Sequence, residues 1–418
     1  MGHVLGLKCV LCDAEYDVDE VLYVCPKHGN EGILDVVYDY DLIGRRLTKD
    51  HLTRDQQTRS IWRYANLLPV ADPSLAPPLQ VGWTPLYRAK RLEKQLGLRR
   101  LWIKDDGREP TASFKDRASA VGVVKALELG RNIITCASTG NAASSLAGLA
   151  TSVELTTYIF VPRTAPQAKV AQLLIFGANV IMVEGTYDQA FDLCLEASRE
   201  YGWYSRNTAY NPYLSEGKKT AALEICEQLG WEAPDRIFVS VGDGCIIGGL
   251  WKGLKDLIAL GFIDKMPKLM GVQAEGAAPL VRAWREGTEK IEPVVLDTLA
   301  DSIAVGVPRD RIKALRAVRE TGGEFVAVGD EEILDAMRVL ARGAAVFAEP
   351  AGATGFAGLA KLVQEGRIDP EERIVVLVTG NGLKDVASAI QAAGQPHLIE
   401  PTMEDLKRLM ERIRGYRD

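Results

Sequence analysis

Short apolar runs rich in β-branched residues alternate with longer segments of helical composition through most of the chain. This alternation predicts parallel sheets with helices on both faces, because parallel strands need crossover connections and helices supply them. The fold class is therefore predicted to be α/β. The runs that predict strands are residues 98–104, 132–138, 155–161, 178–183, 236–241, 268–274 and 373–379.

Composition excludes several classes of protein. The 418 residues are 47% hydrophobic and 25% charged, which is ordinary for a soluble protein of two or three domains. No stretch approaches the ~18 apolar residues of a membrane span, and the net charge of −6 gives no general affinity for nucleic acid. We therefore expect neither a membrane nor a nucleic-acid partner. The first residues lack the features of a secretory signal, which predicts a cytoplasmic protein.

Three of the seven cysteines lie in the first 25 residues, and a histidine follows closely. Cys9-x2-Cys12 and Cys25-x2-His28 have the spacing of two knuckles that present four ligands tetrahedrally, which suits structural zinc. Unmetallated thiols on a short hairpin are the alternative. Residues 1–40 are thus predicted to form a zinc-ribbon-like segment.

Ligands of an open parallel sheet bind beyond the carboxyl ends of its strands, so the residues after each apolar run carry the candidate chemistry. After the first run, Ser113-Phe114-Lys115-Asp116 opens a predicted helix. A lysine in the first turn faces the positive end of the helix dipole, which lowers the pKa of its amine. This favours a neutral nucleophile that can form a Schiff base. A solvated Lys115 paired with Asp116 is the alternative.

The turn after the second run has the composition of a carboxylate site. Ser138, Thr139, Gly140 and Asn141 offer hydroxyls, an amide and free backbone N–H groups at a predicted helix N-terminus. The alternative is a plain N-cap before a helix of small residues that packs closely on the sheet.

Two glycine-rich turns follow later strands. Gly242, Gly244 and Gly248 have the spacing of a phosphate cradle but not of the G-x-G-x-x-G fingerprint, although Glu275 leaves a nicotinamide-dependent dehydrogenase open. At the tip of the last strand, Thr379 precedes Gly-Asn-Gly. A neutral hydroxyl there can meet a ring nitrogen without protonating it, and a tight strand-to-helix turn is the alternative.

Six motifs, in order, resemble the fold-type II pyridoxal-phosphate (PLP) enzymes, whose fold is like that of the tryptophan synthase β chain, and the closest likeness is to the threonine synthases. The motifs are VGWTPLYRAKRL, PTASFKDR, STGNAAS, VGDGCIIGG, EPAGATG and TGNGLKD, from about Val81 to Asp385. An N-terminal cysteine cluster also occurs among threonine synthases. The resemblance therefore covers most of the chain.

The resemblance implies a role for each matching residue. Lys115 would form the Schiff base with PLP, and Phe114 would pack beside the cofactor. Asn141 would bond the ring oxygen, and Thr379 would bond the ring nitrogen. The cofactor phosphate would be bound by the loop of Gly242, Asp243, Gly244, Cys245 and Ile246. The substrate would be bound by Ser138, Thr139, Gly140, Asn207 and Thr208.

The resemblance also implies how the chain is divided. A large PLP-binding domain would comprise residues 81–117 and 212–418, and a small mobile domain, residues 118–211, would close over the substrate. Residues 41–80, which are polar and then Pro-rich, are predicted to be an arm that connects the ribbon to the large domain. The fold resemblance further implies a homodimer.

One position departs from the threonine synthase pattern. These enzymes carry an arginine shortly after an Asn-Pro pair, where it binds the phosphate of O-phosphohomoserine, and Leu214 occupies that position here. An aliphatic side chain does not replace a planar fork that makes two charge-assisted bonds. Arg206, Lys218 or Lys219 could approach the phosphate from elsewhere.

The predicted function is that of a PLP-dependent lyase in threonine biosynthesis, which converts O-phosphohomoserine and water to threonine and phosphate with Lys115 as general base. The alternative is β-elimination or β-replacement on serine, threonine or O-phosphoserine, as in a dehydratase or cysteate synthase. A neutral Thr379 at the ring nitrogen favours elimination over racemisation or transamination. A non-catalytic protein is disfavoured because the cofactor residues are all present.

Overall fold

The computed structural model describes residues 2–165 and 167–414, whose strands form three sheets. The strands are β1 (Val4–Cys9), β2 (Glu15–Tyr16), β3 (Leu34–Tyr38), β4 (Leu86–Arg88), β5 (Arg100–Asp105), β6 (Ile133–Ala137), β7 (Thr156–Pro162), β8 (Asn179–Val183), β9 (Tyr204–Ser205), β10 (Arg236–Ser240), β11 (Lys268–Ala274), β12 (Glu324–Val328) and β13 (Arg373–Val378).

Helices connect most of these strands. They are α1 (Tyr40–Arg46), α2 (Lys49–Arg54), α3 (Lys90–Leu96), α4 (Lys115–Glu128), α5 (Asn141–Thr151), α6 (Gln167–Ile175), α7 (Tyr187–Glu200), α8 (Tyr213–Gln228), α9 (Cys245–Ala259), α10 (Pro279–Arg285), α11 (Arg311–Glu320), α12 (Asp330–Ala344), α13 (Pro350–Gln364), α14 (Val386–Ala393) and α15 (Met403–Arg414). In the described part of the chain, no helix combines the length and the apolar character needed to cross a membrane.

The larger sheet has six strands in the order β12-β11-β10-β13-β5-β4. Its neighbouring strands are parallel except for β4 and β5. Alternate side chains of β10 enter different cores, with Ile237 and Val239 in one and Phe238 in the other. Burial on both faces explains why residues 237–239 are apolar at consecutive positions rather than at every second one.

The second sheet has four parallel strands in the order β8-β7-β6-β9. All of its strands lie between residues 133 and 205, within the segment predicted to be the small domain. Each of the seven predicted runs forms a strand, which confirms the α/β fold class. In these two sheets the strands not predicted are β12, at the edge of its sheet, and β4 and β9, which have three and two residues.

The N-terminal segment forms the third sheet, in which β1 pairs antiparallel with β2 and β3. The following segment, predicted to be a connecting arm, contributes α1 and α2 and packs into the main core through Leu52, Ile61, Tyr64 and Leu67. Arg63 of the same segment is also buried and forms an ion pair with Glu227 of α8, so the arm packs as part of the body.

Helices α4 and α8 cross at backbone contact distance. A Cβ atom at Gly217 of α8 would collide with the carbonyl oxygen of Arg117 in α4. A glycine is needed there because no side chain fits between the two backbones. The crossing lies beside Lys218 and two residues after Lys115, so backbone packing sets the separation of these two lysines.

Buried ion pairs join the same helices to the larger sheet. Arg117 bonds Asp106, which follows β5, at 2.6 Å and Glu224 of α8 at 2.6 Å. Lys104 of β5 also bonds Glu224, at 2.6 Å. The four side chains are fully buried, so each charge depends on its partners in place of water.

Candidate active site

A cavity of about 750 Å³ lies at the carboxyl ends of strands from both parallel sheets. Its walls include residues directly after β6, β9 and β10, which is where an open parallel sheet binds ligands. The predicted site residues that line it are Lys115, Ser138, Thr139, Gly140, Asn141, Asn207, Thr208 and Asp243.

The other predicted cofactor residues lie around this cavity without lining it. Phe114 is fully buried, and its N–H donates to the carbonyl of Thr379 over 2.9 Å. The tip of β13 therefore lies against the residue before Lys115. Gly244 is the N-cap of α9, and Cys245 and Ile246 begin its first turn.

Lys115 is the first residue of α4, and its side chain has neither a hydrogen bond nor an ion pair among the described residues. Burial, with a smaller effect from the charge of Arg206, lowers the pKa of the Lys115 amine. Asp116 instead accepts from the N–H and hydroxyl of Thr111, at 2.6 and 2.5 Å. The pairing of Lys115 with Asp116 is therefore not formed, and the amine has the character of a nucleophile.

The loop before α9, Gly242 to Gly244, is a glycine-rich phosphate cradle that packs closely against neighbouring backbone. A Cβ atom at Gly242 would come within 2.9 Å of the Cα of Ile303, and Gly244 has φ +91°. No side chain caps the α9 N-terminus, so its N–H groups are available to an anion. Asp243 accepts from the backbone N–H of Arg309 at 3.2 Å, which holds its carboxylate against the 309 loop.

Lys218 adds a buried cation beside this cradle. It is 2% exposed, and a Cβ atom at Gly249 of α9 would come within 2.7 Å of its Cβ. Burial lowers the pKa of Lys218 to about 8, and no carboxylate pairs with its amine among the described residues. A cation, free amides and a glycine-rich turn suit a phosphate.

Glu349 is a buried acid that directly contacts a predicted cofactor residue. Its Oε1 accepts from Nδ2 of Asn141 at 2.7 Å, and Asn141 also donates to Ser302 Oγ at 3.4 Å. Burial raises the pKa of Glu349 to about 7, so the acid is partly neutral near neutral pH. The EPAGATG motif marks this turn in the sequence, but only the fold shows that it reaches Asn141.

The N-terminal cysteine cluster forms a second candidate site. The ligand atoms of Cys9, Cys12, Cys25 and His28 all lie within 4.8 Å of one another. Cys25 Sγ is 3.6 Å from His28 Nδ1 and 4.0 Å from Cys12 Sγ. Three sulfurs and one imidazole nitrogen make a donor set typical of structural zinc, so the residues fit that metal.

The ribbon also reaches the rim of the large cavity. Asn30 and Glu31 line its wall, and Glu31 forms an ion pair with Arg311 at the start of α11. Nothing in the sequence predicts this contact, because it joins residues 280 positions apart. The N-terminal segment is therefore part of the cavity wall.

Comparison with known proteins defines the class. Residues 78–380 match the family described as "Pyridoxal-phosphate dependent enzyme", and the chain belongs to this family. It is 42% identical to the threonine synthase of Methanocaldococcus jannaschii over 97% of this chain and 99% of that protein. It is 40% identical to the threonine synthase of Methanosarcina acetivorans over 96% and 97%. The predicted resemblance is thus confirmed.

Solved structures agree on the fold. Threonine deaminase isoform 2 from Solanum lycopersicum superposes with a TM-score of 0.63 and 25% identity, covering 74% of this chain and 87% of that one. Diaminopropionate ammonia lyase from Escherichia coli has a TM-score of 0.64 at 18% identity, covering 81% and 91%. Both share the fold-type II architecture predicted from the sequence.

Proposed function

We propose that the protein is a PLP-dependent lyase with threonine synthase activity, which converts O-phosphohomoserine and water to threonine and phosphate. The observation that carries the proposal is the cavity itself, which is lined by a lysine without a partner and by Asp243 of the glycine-rich loop before α9. The full-length similarity to threonine synthases supports the choice of substrate.

The residues around the cavity fit the cofactor. Lys115 would hold the aldehyde carbon, and the amides of Gly242 to Ile246 would hold the phosphate together with Lys218. Phe114 would pack beside the ring, Asn141 would bond the ring oxygen, and Thr379 would bond the ring nitrogen. When bound, PLP supplies an electron sink for negative charge at the substrate Cα.

Side chains and amides of this chain would bind the substrate carboxylate, transfer protons and limit access of water. The free N–H groups at the start of α5, with Ser138 and Thr139, would orient the substrate carboxylate. The Lys115 amine, whose pKa is lowered by burial, would take one proton from Cα and one from Cβ, so that phosphate can leave from Cγ. It would then return a proton to Cγ and, after water has added at Cβ, a proton to Cα. The walls of the cavity would limit water to the molecule that adds at Cβ.

The experiment that tests this function compares substrates. Holoenzyme is incubated with O-phosphohomoserine, O-phosphoserine with and without sulfite, serine, and threonine, and phosphate, ammonia and product amino acids are followed. Threonine and phosphate in equal amounts from O-phosphohomoserine are the expected result. Turnover of another substrate alone would favour β-elimination or β-replacement and contradict the proposal.

We also propose that Cys9, Cys12, Cys25 and His28 bind structural zinc. The expected result is about one zinc per chain by elemental analysis, with the metal lost in Cys9→Ser. The melting temperature of the chain should fall when a chelator removes zinc. A metal-free protein with the same melting temperature as the isolated one would contradict this assignment.

Three further expectations belong to the same proposal. Residues 118–211 would form a small domain that moves against residues 81–117 and 212–418, and the chain would act as a homodimer in the cytoplasm. Sedimentation of the purified holoenzyme tests the dimer directly. Domain closure is tested by small-angle scattering with and without substrate, where a smaller radius is expected with substrate.

A further inference from the structure

Arg206 is a buried cation whose guanidinium lacks a counter-charge. It follows β9, is 1% exposed and lines the large cavity. Its Nε donates to Ser119 Oγ at 3.0 Å, whereas its buried Nη2 has no hydrogen-bond partner. No carboxylate pairs with it in the described part of the chain. Burying a permanent charge in this way is costly unless an anion completes the site.

Arg206 lies close to Leu214, the residue at the position of the family's phosphate-binding arginine. A Cβ atom at Gly122 of α4 would lie 3.0 Å from Leu214 Cδ2 and 3.9 Å from Arg206 Cγ. The stem of Arg206 therefore lies beside the Leu214 side chain, which has no polar group to offer. The cation beside Leu214 is therefore Arg206, which follows β9, and the first turn of α8 supplies none there.

The residues that follow Arg206 also belong to the cavity wall. Asn207 and Thr208 follow it into the cavity wall, and Asn207 is fixed because its Oδ1 accepts from the N–H of Ala137 at 2.9 Å. The loop before α9 and Lys218 already suffice for one phosphate, and the N-terminus of α5 suffices for a carboxylate. Arg206 remains for a third anionic group.

We propose that Arg206 binds the phosphate group of the substrate and thereby determines the preference for a phosphorylated amino acid. This inference rests on the proposed function. A guanidinium presents two N–H groups in the geometry of a phosphate, and Nη2 is free to make one of those bonds. The same phosphate monoester chemistry also belongs to the cofactor, so the test separates the two.

The test measures holoenzyme of Arg206→Gln against wild type. The KM for O-phosphohomoserine and the inhibition constant of inorganic phosphate should both rise by roughly 10- to 100-fold, which corresponds to loss of one or two hydrogen bonds to a charged group. The affinities for PLP and for threonine, which carries no phosphate, should stay unchanged. Arg131→Gln is the matched control, because Arg131 is exposed and lies before β6, at the opposite edge of the same sheet from Arg206, which follows the neighbouring parallel strand β9.

Two results would overturn the inference. Equal weakening of threonine and O-phosphohomoserine would assign Arg206 a structural role, and weaker PLP binding with an unchanged KM would assign it to the cofactor. Arg206→Lys keeps the charge and should lose less affinity than Arg206→Gln, which provides a second variant if the first folds poorly. The double variant Arg206→Leu/Leu214→Arg returns a guanidinium from α8 and should recover part of the phosphate affinity.

The inference and the proposed function can fail separately. If the wild type forms no threonine from O-phosphohomoserine, the function is wrong, while phosphate binding by calorimetry still tests Arg206. If the wild type does form threonine and Arg206→Gln has an unchanged KM, only the role of Arg206 is wrong.

Discussion

Two sets of cations, all buried except the half-buried Lys115, lie close together on and around α4 and α8, and they differ in whether a carboxylate contacts them. The framework cations each contact at least one buried carboxylate; they are Lys104, Arg117 and Lys219. The cavity cations, which line the cavity or lie beside the loop at its edge, contact no carboxylate among the described residues; they are Lys115, Arg206 and Lys218. Both sets consist of lysine and arginine side chains withdrawn from solvent, so the presence of a partner is the main difference.

This difference separates a structural role from a ligand-binding role. When the counter-ion of a buried charge lies on the same chain, their attraction offsets the cost of desolvation. Removing the partner then mainly lowers the stability of the fold. A buried charge without one is stabilised only when a ligand brings the opposite charge, or when the group becomes neutral. The predictions below test whether the two sets respond in these two ways.

The largest effect on activity is expected at Lys115. Lys115→Ala should lower threonine formation by at least roughly 10²–10⁴-fold, the range for a lost general base, while the melting temperature changes little. The visible absorbance of the lysine-bound cofactor, and its loss on borohydride treatment in wild type, give an independent measurement. A variant that keeps both would contradict the assignment of Lys115.

The largest effect on stability is expected at Glu224. Glu224→Gln leaves Arg117 and Lys104 partly unpaired in the core and should lower the free energy of unfolding by about 3–5 kcal/mol. Urea denaturation of the apoprotein measures it. Arg206→Gln is the contrast, because it removes a buried charge that has no partner and should leave the unfolding midpoint the same or higher. A larger loss in Arg206→Gln than in Glu224→Gln would remove the distinction between the sets.

A smaller effect is expected at Lys218, and it depends on pH. The amine binds a phosphate only when protonated, and its pKa is about 8, so PLP affinity should fall as pH rises through 8. Lys218→Gln should bind PLP about 10-fold more weakly at pH 7. Lys218→Arg should keep its affinity above pH 8 because arginine stays charged. Titration of apoprotein with PLP from pH 6 to about 9 distinguishes the three proteins.

The sequence predicts the framework of the fold well. Residues 237–239 and 374–378 are apolar at consecutive positions because both faces of their strands are buried, and such runs are visible without a structure. The two-residue β9 is too short to carry a pattern, whereas the edge strand Glu324–Val328 is apolar at four of its five positions and carries a signal in the sequence. The arm at 41–80 has the opposite problem, because its polar surface conceals buried positions such as Ile61 and Tyr64.

The candidate site is predicted only where a motif marks it. SFKDR and STGN identify Lys115 and the start of α5, because a lysine or small polar group at a helix N-terminus has a local pattern. Arg206 and Lys218 lie in no such pattern. They are candidates because no carboxylate pairs with their buried charges. Only a folded structure shows that a charge is buried without a partner, so the sequence could name them as candidates and no more.

The tight crossing at Gly217 fixes a length inside the molecule. The backbones of α4 and α8 are in contact there. Most side-chain exchanges elsewhere in the pocket should therefore leave the distance between Lys115 and Lys218 unchanged. The part of the pocket around Arg206 can therefore be redesigned for other amino acids, while the part proposed to bind PLP keeps fixed dimensions.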